Sequence, residues 1–359
     1  MHILITNHAL QKRTGSELYT LELSTALKSR GIDVSVYSPH LGSIASQIQQ
    51  HSIPVYADLS RMKDTPDLIH GQHYLETMSA IERFRSTPAI FVCHGIAPWQ
   101  ETPPLHPNIL RYYGVSALVT AKIIYSGVEL RKPVIQVQNW VDVERFQRKN
   151  IIRDTPKKAL IVSNSTYDIA PITLACRDLG IDLKKIGAGF AYTSENIHEE
   201  FLAADIVFAV GRTAIEALAT GCCLIPASGD GAAELVNDSN FSQCQSGNFA
   251  IGLLSREKFT VEFIKNEIIK YSRDDVAAVC KLVRESQSLT VGINRWMNEY
   301  RQCLKAVSSE KQSYKPTSPY GITIKSQLYR TRQELRNLAI IIKSISSARI
   351  KKILFRSKR

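Results

Sequence analysis

A rhythm, played twice, constrains this chain more than any single residue. Short apolar runs alternate with helix-length stretches, and midway the alternation starts again. "HILITN" leads into the loop "HALQKRTG", a helical stretch from Ser16 to Arg30, and then "DVSVYSP", so residues 1–38 read as a β-loop-α-β unit. Ser16 is its candidate N-cap and Gly31 its candidate C-cap. Further strands are expected at "IPVYAD", "DLIHGQ", "AIFVCHG", "VSALVTA" and "PVIQVQN". After "NWVDVERFQRKN" the strands "KKALIVS", "IDLKKIG", "ADIVFAV" and "CCLIPAS" follow, separated by helical "APITLACRDLG", "NIHEEFLAA" and "TAIEALATG". Apolar strands alternating with helices predict parallel sheets covered on both faces. A cleft between two such sheets is the expected ligand site, because open parallel sheets bind at the carboxyl ends of their strands.

The expected domains are residues 1–145 and 146–307, followed by a linker at 308–321 and a tail at 322–359. With 359 residues the chain can support two cores. No run of about 18 apolar residues suggests a membrane span, and the N-terminus reads as a strand, not a signal peptide. The seven cysteines lie mostly in apolar segments with no CxxC pair and no zinc spacing, as expected of buried thiols in a reducing cytoplasm. Nothing local looks like a metal holder.

The net charge of +12 is uneven. Residues 322–359 hold eleven basic side chains against one acid, Glu334, so ten of the twelve net charges sit in the tail. Leu328, Leu335, Leu338, Ile342 and Ile345 recur there at helical spacing, which predicts a basic amphipathic helix suited to an anionic membrane surface. Packing on a protein surface is the alternative, and nucleic acid is the poorest fit.

"DIVFAVGRTAIEALATGCCLIPASG" carries the chemistry. A helix opening at the carboxyl end of a buried strand aims unpaired N–H groups and partial positive charge outward. Gly211 lets a ligand approach the backbone, Arg212 brings a fork suited to phosphate oxygens, and Thr213 can cap the helix or bond phosphate. Glu216, one turn further in, suits a sugar hydroxyl pair. The plainer reading is a capped helix in an α/β core whose Glu216 pairs with a lysine.

The same stretch resembles the donor-binding segment of GT-B glycosyltransferases, which have two facing Rossmann-like domains, and of family 4 among them. "RTGSELYTLELSTALKSRGIDVSVYSP", "PDLIHGQHY", "AIFVCHG" and "QNWVDVERF" resemble other segments of that family, in order, over about residues 1–240. The resemblance implies that Gly211, Arg212 and Thr213 meet the donor diphosphate and that Glu216 binds its ribose. It places Gly15 and Ser16 in the first cleft-lining loop, His94 opposite the transferred sugar, and Glu234 in a loop near that sugar. Trp99 and His73 are candidate acceptor contacts, and His70 lies near His73. Two features depart from the family. Phe208 stands where the first glutamate of E-x7-E belongs, and "IVSNSTYDIAP" lacks the family's Arg and Lys pair, for which Lys184 or Lys185 are candidate substitutes.

The expectation is therefore a glycosyltransferase moving sugar from a nucleotide-diphosphate sugar to a glycan or lipid-linked acceptor in cell-surface polysaccharide synthesis. His94 and Glu216 are its candidate catalytic residues. The resemblance implies a retaining, metal-independent reaction with no cofactor beyond the donor substrate. The expected location is cytoplasmic, with the tail offering peripheral attachment to the inner face of the membrane. The alternatives are a non-catalytic relative that binds glycan or scaffolds a membrane complex, and a nucleotide-sugar epimerase.

Overall fold

The computed structural model describes residues 1–128, 132–192, 194, 196–250 and 252–310. It divides into two compact units. One comprises Met1–Tyr112 and Ile123–Pro133 with the end of the last helix from Cys303, and the other Tyr113–Lys122 and Val134–Gln302.

The first half contains β1 (His2–Thr6), β2 (Ala9–Leu10), α1 (Gly15–Ser29), β3 (Asp33–Tyr37), β4 (His40–Leu41), α2 (Ser43–Gln50) and β5 (Val55–Tyr56). It continues with β6 (Leu68–Gln72), α3 (Tyr74–Arg83), β7 (Ala89–Cys93), β8 (Ile109–Gly114), α4 (Ala117–Tyr125) and β9 (Val134–Gln136). Its sheet runs β5-β3-β1-β6-β7-β8-β9. β1 pairs in parallel with both β3 and β6, with Ile3 opposite Val34 on one side and Leu68 on the other. Every residue of β6 and β7 is buried, as strands covered on both faces require. The chain runs outward from β1 to β3 and β5, then returns to β6 on the other side of β1. The crevice of this sheet therefore lies between β1 and β6.

The second half repeats the plan with β10 (Lys158–Val162), α5 (Ala170–Asp178), β11 (Asp182–Ile186), α6 (Ile197–Ala203), β12 (Ile206–Ala209), α7 (Gly211–Thr220) and β13 (Cys223–Ser228). β14 (Gly231–Ala232), α8 (Phe241–Ser246), α9 (Val261–Ile269), α10 (Arg273–Ser286) and α11 (Leu289–Glu310) complete it. The sheet order is β11-β10-β12-β13-β14, parallel except for β14. Here the crevice lies between β10 and β12. Each face of this sheet has its own core. Val207, Phe201, Ala214 and Leu218 fill one, while Phe208, Ile161, Ile172 and Ile264 fill the other. Phe208 is thus a mid-strand residue turned into apolar packing, which explains why no acid occupies that position.

Three local expectations are corrected. The residues of "VSALVTA" form no strand. β8 ends at Gly114, and Ser116 Oγ accepts the Val119 N–H at 3.2 Å, so this short apolar run opens α4. The N-cap of α1 is Thr14, not Ser16. Glu17 explains the earlier start, because its carboxylate accepts the backbone N–H groups of Gln11, Lys12 and Thr14 at 3.0–3.1 Å and holds the preceding loop to the helix. The C-cap of α1 is Arg30, and Gly31, expected in that role, follows it at φ +76°. All seven cysteines are buried thiols and none is in a disulfide. No described helix is long and apolar enough to cross a membrane. The helical residues 308–310 continue α11, and the rest of the expected linker and the basic tail lie outside the described residues.

Candidate functional site

In the second unit α7 grows directly out of β12. Its N-cap residue is Val210, whose aliphatic side chain offers no oxygen to the first helical N–H groups. Gly211 turns the corner at φ +63°, a left-handed conformation that glycine adopts without strain. Its own N–H donates to the Phe249 carbonyl at 3.3 Å. The helix dipole thus opens over the carboxyl edge of the sheet. A cavity of about 470 Å³ lies there, lined by residues 162–165 after β10, Val210 and Thr213, and residues 227–230 at the end of β13. These elements flank the β10/β12 crevice, where an open parallel sheet binds its ligand.

The lining is polar but holds no cation. Ser163, Asn164, Ser165, Thr213 and Ser228 supply hydroxyls and an amide, and Asp230 supplies a carboxylate. Arg212 Nη2 stands 4.0 Å from Glu216 Oε1, one turn along α7, with both side chains about nine-tenths buried. The helix therefore brings Gly211, Arg212, Thr213 and Glu216 to one end, with Thr213 alone of the four lining the cavity. Glu234 lies apart, exposed and paired with Lys258 at 3.2 Å. Lys184 is held by Glu200 at 2.7 Å and lies over the Tyr192 ring. Lys184 and Lys185 are both exposed on the edge strand β11.

A larger cavity, about 730 Å³, lies at the amino edge of the same sheet, between residues 148–157 and the start of α10. Size does not make it the better site. Arg153 is matched by Asp205 at 2.7 Å and Arg273 by Asp154 at 3.1 Å, and the Ser272 side chain already caps α10.

The first unit places a polar cluster at its own crevice. Thr20 Oγ1 donates to the Ser16 carbonyl at 3.0 Å and accepts from Asn7 Nδ2 and Gln72 Nε2. With its amide so engaged, Gln72 turns Oε1 toward His94 Nε2 at 2.8 Å, so that nitrogen carries the proton. The backbone N–H of His94 donates to Glu101 Oε2 at 2.7 Å, and the Tyr19 ring packs edge-on against the imidazole. The other Glu101 oxygen stands 3.6 Å from His73 Nε2. His73 is the N-cap of α3, with φ +62°, and its Nδ1 accepts the His8 N–H at 3.0 Å. Burial, with His8 adding to it, pulls the His73 ring down to about 4, and burial pulls His70 down to about 3.

Gly15 is the exposed first residue of α1, and Ser16 takes part through its carbonyl. Trp99 opens the single helical turn Trp99–Glu101 and is half-buried. The polar cluster thus joins His73 and His94 through Glu101, with Ser16 tied in through Thr20. Sequence reasoning missed His8, Glu76 and Glu101 in this unit and Ser163, Asn164, Ser165, Ser228 and Asp230 in the other. His8, Ser163 and Asp230 shared one usable signal, a position just beyond the carboxyl end of an apolar strand. Among the described residues no group of three or more His, Cys, Asp or Glu is placed to hold a metal ion.

No protein-family model and no curated protein matches this sequence. Solved structures do match. Anabaena Alr3699/HepE in complex with UDP is 12% identical and superposes with a TM-score of 0.61, over 84% of this chain and 100% of that one. The same protein in complex with UDP-glucose is 14% identical with a TM-score of 0.59, over 86% and 100%. The lipopolysaccharide outer core galactosyltransferase WaaB, in its apo form, is 12% identical with a TM-score of 0.54, over 83% and 98%. The chain has the GT-B fold, built from two Rossmann-like units.

Proposed function

We propose that this chain is a glycosyltransferase that takes sugar from a nucleotide-diphosphate donor. One observation carries the reading. The N-terminus of α7 opens, without a side-chain cap, onto a polar cavity at the crevice of the second sheet. Backbone N–H groups, the Thr213 hydroxyl and the helix dipole suit a diphosphate, and Arg212 adds charge beside them. Asp230 is the carboxylate that lines the cavity for ribose or sugar hydroxyls, and Glu216 lies one turn deeper beside Arg212. The fold shared with a protein solved with UDP and UDP-glucose supports a uridine donor. As the diphosphate leaves, the fixed dipoles at the helix end stabilise its charge without reorganising. No bound metal or other cofactor is part of this reading.

We place the acceptor, a glycan or a lipid-linked glycan, at the carboxyl edge of the first unit's sheet, where His73, His94 and Trp99 offer polar and aromatic contacts. The eleven basic residues of 322–359 support a cytoplasmic enzyme held peripherally at an anionic membrane during polysaccharide synthesis. The test is calorimetric titration of the full chain with UDP, GDP, ADP and CMP. One diphosphate is expected to bind in the micromolar range. Glu216→Gln is expected to weaken it about 10-fold, or about 1.4 kcal/mol. A folded chain that binds none of the four is not a transferase of this kind, and a non-catalytic role follows.

One observation favours a second reading. His8, His73 and His94 with Glu76 and Glu101 crowd the first unit's crevice, as an acid–base enzyme acting on the nucleotide sugar itself would require. An epimerase would convert the bound donor sugar without any acceptor, so proton NMR of UDP-sugar incubated with the enzyme alone separates the two.

A further inference from the structure

Two imidazoles meet where the chain leaves the first sheet. β2 and β4 form a two-stranded parallel ladder with Ala9 opposite His40, and this sets His40 beside His8. One hydroxyl holds both backbones. Ser38 Oγ accepts the His40 N–H at 3.3 Å and shares its proton between the His8 carbonyl at 3.2 Å and the His40 carbonyl at 3.3 Å. The His8 N–H donates in turn to His73 Nδ1 at 3.0 Å. The His8 and His40 rings stand with centroids 5.1 Å apart and planes at 75°.

The His8 ring is oriented from behind. Its Nδ1 stands 2.9 Å from Glu76 Oε1, in the first turn of α3. A carboxylate only accepts hydrogen bonds, so Nδ1 carries the proton and Nε2 the lone pair. The His8 side chain is 37% exposed and His40 is exposed. Neither His8 Nε2 nor a ring nitrogen of His40 has a hydrogen-bond partner among the described residues. Glu76 is 3% exposed, and its second oxygen is buried, again with no such partner. An under-satisfied buried carboxylate gains most from positive charge drawn to the ring it holds.

An outward lone pair backed by a carboxylate on the other ring nitrogen is the arrangement of a metal-binding imidazole. Two imidazoles on one ion, at metal–nitrogen distances of about 2.0–2.1 Å and a tetrahedral angle, have ring centroids about 5 Å apart. That is the separation of His8 and His40. Imidazole donors suit zinc and its borderline neighbours, whereas calcium and magnesium take oxygen. His73, with its ring 6.1 Å from that of His8, is already engaged, through Nδ1 with the His8 N–H and through Nε2 with Glu101 at 3.6 Å. No third His, Cys, Asp or Glu is placed to join the pair among the described residues, so water or a ligand oxygen takes the remaining positions.

We propose that His8 and His40 form a two-imidazole site for a divalent ion of the zinc class, with Glu76 as the residue that positions His8. The site stands at the carboxyl edge of the first sheet, beside the ground given to the acceptor, yet it requires nothing of the transferase reading and takes no part in the transfer step.

The test is calorimetry of the full chain, free of any polyhistidine tag, titrated with zinc chloride at pH 7.5. One ion per chain is expected to bind in the micromolar range. His8→Ala and His40→Ala are each expected to weaken binding about 10-fold or more, and Glu76→Gln about 10-fold. Circular dichroism shows that each variant is folded. Copper(II) in place of zinc reports the ligands directly, because electron spin-echo modulation counts coordinated imidazoles. Two are expected in the native chain and one in His40→Ala. No zinc binding by the folded chain, affinity unchanged by either histidine substitution, or a single imidazole on copper in the native chain overturns the site. Affinity unchanged in Glu76→Gln overturns the part given to Glu76.

Discussion

Lys149 shows what one buried charge does in this fold. It is 8% exposed, yet no carboxylate pairs with it among the described residues. Its ammonium donates to the Ala204 carbonyl at the end of α6 and lies 3.5 Å from Cys222 Sγ. The backbone N–H of Lys149 donates to the Thr220 carbonyl, and its stem approaches Gly221 at the end of α7. One residue of the segment before β10 thus ties down the C-terminal ends of two helices, where a cation is electrostatically favoured. Two substitutions separate its packing from its charge. Lys149→Ala removes both and is expected to lower stability by about 2 kcal/mol. Lys149→Met keeps the stem and leaves the Ala204 carbonyl to the Cys222 thiol, 3.6 Å away, so a loss under about 1 kcal/mol is expected. Urea midpoints of the two variants check this, and equal losses would show that the charge dominates.

At the scale of the element, the two corners flanking the second unit's cavity depend on glycine in different ways. Gly211 has positive φ but open surroundings, since an added Cβ would meet nothing nearer than Asn248 Nδ2 at 3.9 Å. Gly211→Ala is therefore expected to cost about 1–2 kcal/mol of left-handed strain and leave the fold intact. Gly187, with φ +121°, has no such room, because its Cβ would collide with the Ser163 carbonyl. Gly187→Ala must displace the Ser163–Ser165 loop and is expected to weaken UDP binding more than Gly211→Ala does, which calorimetry of the two reads directly. The same elements show what could be read in advance. The chain order from β12 through α7 to β13 was legible, because a fully apolar run ending at Gly211 and a periodic stretch ending at Gly221 have few other solutions. The β8–α4 boundary was not, since a seven-residue apolar run carries no clear period and a single Ser116 hydroxyl decided it. His8 and Glu76 were illegible for another reason. They are 68 residues apart in sequence, and only the pairing of β1 with β6 brings α3 against the end of β1.

At the scale of the whole molecule, both units use one device, a parallel sheet with its polar groups gathered where the strand order reverses. In the second unit those groups are mostly hydroxyls and backbone, whereas in the first they include imidazoles held neutral by burial. This difference makes the stability of the chain depend on pH in a defined direction. His70, brought down to about 3 by burial, and His73, brought down to about 4 by burial and His8, both titrate at 6.5 once unfolded. Between about pH 6.5 and 4 the unfolded chain binds protons that the folded chain does not, so stability falls as the pH falls through that window. The slope approaches about 1.4 kcal/mol per pH unit for each histidine, so several kcal/mol are lost by about pH 4.5. His106, lowered to about 4 by burial and Lys132, acts in the same direction. Urea midpoints of the full chain at pH 7.5, 6.0 and 4.5 are expected to drop steadily, and His73→Gln is expected to flatten the drop by the share of one proton. A midpoint that holds constant from pH 7.5 to 4.5 would mean that the buried imidazoles of β6 and its following loop open to water before the fold does.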